Sequence, residues 1–317
     1  MDSYSPLKVL TSQFTTFIQD PFFKESIILK ASIIIPHYNL HEDLELCINA
    51  LLSQTLPRDD YEIILIDNGS SKKVDPSIQE RVDVFEVYTK VQDPYNCRNV
   101  GIGLAQGEIV AFLDVKCRPQ VSWLKEGLDY FSKTPELDIL AARFVVQFDP
   151  LDAYQVYYSL NHLNHKRAVE ENSGLLTGNL FVRQSCFDKL GLFPENQRSG
   201  GDIVWTQKAR IMGLNIQYGE NAIVHYPAKN KQEVLQSAIR DGKGAFTTYK
   251  LSGKGVGFHL KMLLYHLLPD RPRRIHKRIA YTSNPILYQD QFMKLWWITW
   301  KVNLRFMVGY IKGIFLK

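Results

Sequence analysis

The sequence predicts an α/β protein: a mostly parallel sheet flanked by helices, with a helical, basic appendage at its C-terminal end. Three observations carry this. Short apolar runs alternate with amphipathic stretches between residues 31 and 113, the pattern of strands joined by crossover helices. Polar residues recur just beyond those runs, where such sheets bind ligands. From about residue 231 the chain turns helical, basic and aromatic.

The elements follow in order. Residues 31–36 are an isoleucine run closed by Pro36, a buried strand that ends at a loop. Residues 44–53 have helical spacing. Tyr61–Asp67 is a second strand, closed by the turn Asn68-Gly69-Ser70. A third strand is expected over 82–88 and a helix over 97–105, stopped at Gly107. A fourth strand over 108–113 delivers Asp114 to its end. Beyond residue 120 the pattern loosens. A strand over 139–148, an apolar glycine-containing segment over 176–183, a Gly-rich loop over 199–202 leading into a helix, and a short strand over 223–225 are the readable parts. The division expected is a lead-in (1–30), a main α/β domain (31–230) and a helical C-terminal region (231–317).

Composition narrows the class. With 45% hydrophobic and 22% charged residues among 317, the chain is an ordinary globular protein. A net charge of +5 is mild and does not point to nucleic acid. The four cysteines form no C-x-x-C pair, so neither a zinc site nor a disulfide framework is suggested. The first 30 residues lack the basic start and unbroken apolar run of a signal peptide. No uncharged stretch approaches the roughly 20 residues of a spanning helix. A cytoplasmic location is expected.

Seven segments, in register, resemble the family 2 inverting glycosyltransferases. Residues 32–39 (SIIIPHYN) resemble their opening strand, 61–70 (YEIILIDNGS) their second strand, 96–101 (NCRNVG) their Ala-Arg-Asn-x-Gly helix and 108–117 (EIVAFLDVKC) the strand that carries Asp-x-Asp. Thr177-Gly178-Asn179, Gly200-Gly201-Asp202 and His225 match later landmarks. The resemblance covers about residues 31–250. It implies the nucleotide-diphospho-sugar transferase fold, a nucleotide-sugar donor and a hydroxyl acceptor on a glycan or lipid-linked sugar. Donor contacts are then expected from Pro36, Tyr38, Asn39, Asp67, Asn68, Arg98, Asn99, Asp114 and Lys116, and acceptor contacts from Thr177, Gly178, Asn179, Gly201 and Trp205.

The residues themselves bear on each role. Asp67 at a strand end can accept a hydrogen bond from a pyrimidine N–H, or close the loop as an Asx turn. Arg98 and Asn99 near a helix start suit an anion, or a solvated surface. Inverting transfer needs a base for the acceptor hydroxyl. The family uses the acid at the position of Asp202, which would otherwise be an N-cap. Trp205 either stacks on an acceptor sugar or fills the core.

The family's Asp-x-Asp holds a divalent metal, Mg2+ or Mn2+, against the diphosphate, and the resemblance assigns Asp114 and His225 to that metal. Here the second acid is replaced by Lys116. Lys116 either supplies positive charge to the diphosphate directly, or faces solvent while Asp114 and His225 hold the ion, or marks an inactive site. A non-catalytic family member is therefore the second reading. A nucleotidyltransferase is third, because the loop after the first strand is neither Gly-rich nor basic.

In residues 291–317, Lys294, Lys301, Arg305 and Lys312 are spaced by seven, four and seven. At about 100° per residue they lie within roughly 20° of one line on a helix. With the apolar remainder, this fits a helix in a membrane interface or one docked on the protein's own core. The cluster Arg271, Arg273, Arg274, Lys277 and Arg278 suits anionic lipid. Peripheral contact at the inner face of the cell membrane is expected, and no nucleic-acid partner.

Overall fold

A computed structural model describes residues 29–90, 93–195, 199–251, 253–280 and 286–315. The lead-in expected over 1–30 lies outside these apart from its last two residues.

The first half is a run of strand and helix. It comprises β1 (Ala31–His37), α1 (His41–Leu52), β2 (Tyr61–Asp67), α2 (Pro76–Gln79), β3 (Val84–Val87), α3 (Pro94–Leu104), β4 (Ile109–Leu113) and the two-residue β5 (Arg118–Pro119). The middle holds α4 (Trp123–Lys133), β6 (Ile139–Gln147), α5 (Ala153–Asn161), α6 (His165–Glu170), β7 (Asn179–Arg183), α7 (Cys186–Leu190), α8 (Gly201–Ile211) and β8 (Ile216–Pro227). Five helices close the chain: α9 (Lys231–Leu251), α10 (Val256–Leu267), α11 (Pro272–Ala280), α12 (Ile286–Gln289) and α13 (Phe292–Phe315).

The described strands form one sheet in the order β3-β2-β1-β4-β7-β6-β8-β5. The β3-β2-β1-β4 half is parallel throughout. Beyond it the sheet is mixed, because β7 enters between β4 and β6 antiparallel to both, while β6 and β8 run parallel. The central strands are buried on both faces, and residue parity sorts their side chains. Ile33, Ile35, Ile63, Leu65, Ala111 and Leu113 join one core cluster. Ile34, Ile64, Ile66, Val110 and Phe112 join the other. That is why these strands read as continuous apolar runs rather than alternating ones.

Local chemistry sets the helix starts. Helix α3 begins at Pro94, earlier than helical spacing suggests, because Asp93 caps it by accepting from Tyr95 N–H at 2.8 Å and Pro94 presets the first turn. Helix α8 begins at Gly201, after Gly200 at φ +86°, a left-handed conformation that suits glycine. Strand β8 extends over 12 residues, far beyond the readable 223–225.

The C-terminal helices return to the main body. Leu295, Ile298, Val302 and Tyr310 of α13 are buried, and α13 packs on α9 and α5. The α9–α13 crossing is closest at two glycines. A Cβ on Gly242 would lie 2.1 Å from the Phe306 carbonyl oxygen, and one on Gly309 2.0 Å from that of Ile239. One apolar face of the last helix is thus covered by protein, while Met293, Trp297, Ile311, Ile314 and Phe315 stay exposed. Its four cations, Lys294, Lys301, Arg305 and Lys312, all face outward as their spacing predicts.

Candidate active site

Beyond the carboxyl ends of β1, β2 and β4 lies a cavity of about 980 Å3. Pro36, His37, Tyr38, Asn68, Arg98, Asp114 and Lys116 line one side. Thr177, Gly178, Gly200 and Asp202 line another, and the polar face of α9 forms a wall with Glu233, Ser237, Arg240 and Asp241.

Asp114 is the hinge between these sides. Its Oδ1 accepts from Arg98 Nη2 at 2.7 Å, and the Arg98 side chain is buried while Asp114 is partly open. The Arg98 Nε has no hydrogen-bond partner among the described residues. Gly178 makes the position of Asp114 attainable, since a Cβ there would stand 2.9 Å from Asp114 Oδ2. Lys116 does not face solvent. Its Nζ donates to Glu233 Oε1 of α9 at 2.9 Å, and both residues line the cavity.

Asp202 is buried at the second position of α8, where the helix N-terminus favours a negative charge. Its Oδ1 accepts from the Tyr95 hydroxyl at 2.9 Å and from Ile203 N–H at 2.9 Å. Its Oδ2 accepts from Thr177 N–H at 3.3 Å. Burial pushes its carboxyl up from the ordinary value, against the Arg98 charge and these hydrogen bonds, which pull it down. Gly201 lets the loop close on Tyr95, because a Cβ there would come within 2.9 Å of the ring.

On the first side, Asp67 closes its own loop, accepting from both the backbone N–H and the hydroxyl of Ser70. His37 Nε2 lies 3.9 Å from Asp67 Oδ1. Burial lowers this imidazole to about 4, more than Asp67 raises it, so at neutral pH the contact is not an ion pair. Asn39, at φ +56°, fastens the first loop to the second: its Oδ1 accepts from Ser71 N–H at 2.8 Å.

Several residues expected at the ligand are turned elsewhere. Asn99 makes a reciprocal pair with the Phe193 backbone, 3.0 Å in each direction, which clamps α3 to the 193 loop. Asn179 accepts from Trp123 Nε1 at 2.8 Å and donates to the Arg143 carbonyl at 3.0 Å, fully buried. Trp205 packs between Phe187 and Phe193, and its Nε1–H donates to the Gly191 carbonyl at 2.8 Å. That is the core alternative rather than a stacking platform. His225 stands on β8 with its Nε2 3.2 Å from Gln120 Nε2 and is not among the residues lining the cavity. Asp67, Asn39 and Gly201 shape the cavity from behind its lining.

The donor set does not fit a metal held by the protein alone. One oxygen of Asp114 is taken by a guanidinium, Lys116 is a cation, and His225 faces Gln120. Among the described residues no group of three or more His, Cys, Asp or Glu is placed so that it could hold a metal ion.

Three contributors escaped sequence reasoning. Tyr95 stands one helical turn before Arg98 on the same helix, a spacing that places it on the same face. The α9 wall announces itself only as polar residues at 233, 237, 240 and 241, which share a face. Lys229, just before α9, carried no signal.

Comparisons agree with the fold. Residues 32–191 match the Glycosyl transferase family 2 model. The chain is 30% identical over 292 residues to glycosyltransferase AglE of Haloferax volcanii, covering 89% of this chain and 95% of that protein. It is 23% identical over 219 residues to the poly(ribitol-phosphate) beta-N-acetylglucosaminyltransferase TarS of Staphylococcus aureus, covering 66% of this chain but 37% of that one. The mannosyltransferase PcManGT from Pyrobaculum calidifontis, solved with GDP-Man and Mn2+, superposes with a TM-score of 0.59 at 17% identity, covering 95% of this chain and 92% of that one. TarS 1-349 with UDP superposes at 0.52 and 17% identity, covering 90% and 91%. The chain belongs to glycosyl transferase family 2, and it is a glycosyltransferase.

Proposed function

We propose that the protein transfers a sugar from a nucleoside-diphosphate sugar to a hydroxyl of a glycan or lipid-linked acceptor, with inversion. Residues 31–230 act as the catalytic domain and 231–317 as the helical region that completes the cavity. One observation carries the reading: a buried carboxylate, Asp202, facing a large cavity whose other side is lined by the Arg98–Asp114 pair and Lys116. In this scheme Asp202 accepts the acceptor proton as the oxygen attacks the sugar carbon, and the nucleoside diphosphate leaves from the opposite face. Fixed cations stabilise the charge that grows on the leaving diphosphate. UDP and GDP-Man complexes of the structural neighbours are consistent with such a donor.

A divalent ion, if used, would rest chiefly on the donor's own oxygens, with Arg98 and Lys116 supplying the charge that a second acid and its ion supply in the family pattern. We therefore expect weak dependence on divalent cations.

Peripheral contact with the inner face of the cell membrane belongs to the same proposal. The main supporting surface is α10: Val256, Leu260, Leu264 and Leu267 are exposed on it, as is Leu268 just after it, and exposed Arg271 and Arg273 follow. No helix among the described residues is long and apolar enough to cross a membrane.

A panel of nucleotide-sugars in a thermal-shift assay tests the donor reading, since a ligand that binds only the folded state stabilises it by mass action. Stabilisation by one UDP- or GDP-sugar, followed by its consumption with an acceptor, is expected. A protein that no nucleotide-sugar stabilises would refute the proposal.

A further inference from the structure

Lys229 is used by nothing in the transfer scheme, yet it lines the cavity. It lies in the short link between β8 and α9 and reaches along the helix, where its Nζ donates to Ser237 Oγ at 2.8 Å. The ammonium also stands 5.5 Å from the centre of the Tyr158 ring. Among the described residues no carboxylate lies within ion-pair distance of it. The two acids nearby are committed elsewhere. Glu233 accepts from Lys116 at 2.9 Å and from Asn230 N–H at 3.0 Å. Asp241 accepts from the Ser199 hydroxyl at 2.9 Å and from Arg240 at 3.3 Å.

A half-buried ammonium with only a hydroxyl and an aromatic face is poorly compensated. Burial lowers its proton affinity, and the charge of Arg240 and then that of Lys116 lower it further. Asp241 and Glu233 oppose this, and the result is about 8. The ammonium is thus still mostly charged at neutral pH, in a field that carries an excess of positive charge. Three cations and two acids face this part of the cavity, and that imbalance attracts an anion.

We propose that Lys229, supported by Arg240, is an anion subsite that holds a phosphate group carried by the acceptor. The placement favours the acceptor over the donor. Ser199 hydrogen-bonds Asp241, and Ser199 opens the loop that delivers Asp202. A phosphate at Lys229 therefore lies along the wall that leads to the base. The donor diphosphate has its own cations in Arg98 and Lys116. The proposal rests on the transfer reading for its distinction of donor from acceptor, not for the existence of the subsite. The shared chemistry is a phosphate ester; a lipid phosphate and a soluble sugar or polyol phosphate are the two sources.

The test is calorimetric and uses the full chain at pH 7. UDP and GDP are titrated first. Glycerol 1-phosphate and farnesyl phosphate are then titrated into both the free and the nucleotide-loaded protein, with glycerol and farnesol as uncharged controls. At least one phosphate probe should bind at least ten-fold more tightly than its control. Lys229→Gln should weaken that probe at least ten-fold while nucleotide affinity stays within two-fold, and Lys229→Arg should recover most of it. Preference for farnesyl phosphate assigns a lipid source; equal binding of both probes assigns the phosphate alone. Absence of probe binding to the wild type, or binding indifferent to Lys229→Gln, overturns the subsite. Parallel loss of nucleotide affinity overturns its assignment to the acceptor. Failure of UDP and GDP to bind refutes the donor reading separately, because the probes are also read on the free protein.

Discussion

At the scale of single residues, Asp202 is expected to lose its role with its charge. Asp202→Asn keeps the acceptor oxygen for Tyr95 and Ile203 but removes the proton acceptor. Transfer should fall by about 100-fold or more, the usual worth of a general base, with donor affinity unchanged. Near-normal turnover in that variant would remove Asp202 from the mechanism. The pH profile gives an independent reading. The base must be ionised, and burial holds its carboxyl above the ordinary 3.8. The rate should therefore fall on the acid side at a pH above 3.8, and that limb should vanish from the residual rate of Asp202→Asn.

Lys116 makes a second case. Its Nζ donates to the Glu233 carboxylate, and both residues line the cavity. Lys116→Ala removes one cation and bares one anion, so transfer should drop by at least ten-fold. Lys116→Ala with Glu233→Ala should recover part of the loss, as coupled neighbours do. A chelator should leave most of the wild-type activity. A divalent ion about 4 Å from a protonated lysine is opposed by roughly 8 kcal/mol at an effective dielectric near 20. Full loss with chelator and indifference to Lys116→Ala would return the metal to its family place. Strand ends were legible in one dimension, which is why Asp114 and Lys116 were found at the cavity. Asn99, Asn179 and Trp205 were not, because their orientation depends on partners as far off as Phe193, 94 residues beyond Asn99.

At the scale of elements, the α9–α13 crossing decides what the tail is for. The apolar face of α13 was plain in the sequence, but spacing cannot say whether lipid or protein covers it. The cover is α9, and Gly242 and Gly309 allow the approach. Gly309→Ala would place a methyl group 2.0 Å from the Ile239 carbonyl oxygen, and neither helix backbone can yield cheaply. Overpacking of this kind costs about 1–3 kcal/mol, which a thermal melt should show as a drop of several degrees. Deleting the chain beyond residue 290 should abolish cooperative unfolding, since it exposes the buried faces of α5 and α9. A truncated protein that melts like the full chain would contradict the docked helix. The parallel half of the sheet was readable because both of its faces are covered and its strands are unbroken apolar runs. The mixed half was not, because β7 reverses direction through a pairing that no local pattern encodes.

At the scale of the whole molecule, the question is how a protein without a spanning helix among its described residues would be held at a membrane. Helix α10 has no buried residue, and Val256, Leu260 and Leu264 recur every four positions on it, followed by Leu268 at its C-cap. Leu264 is 64% exposed and Leu268 66%, which a water-facing helix does not need. Burying one such side chain in an apolar phase gains about 1.5–3 kcal/mol. Each basic residue near an anionic surface adds about 1 kcal/mol, and salt screens that part. The sum supports reversible, salt-sensitive binding rather than permanent anchorage. Co-sedimentation with vesicles rich in phosphatidylglycerol should therefore retain the full chain at low salt and release part of it at high salt. Phosphatidylcholine vesicles should hold it more weakly. The double variant Leu260→Glu with Leu264→Glu should lose at least ten-fold in partitioning while keeping its melting temperature, because neither side chain is part of the core. Binding that survives those two charges would move the membrane contact away from α10 and leave its apolar stripe without a role.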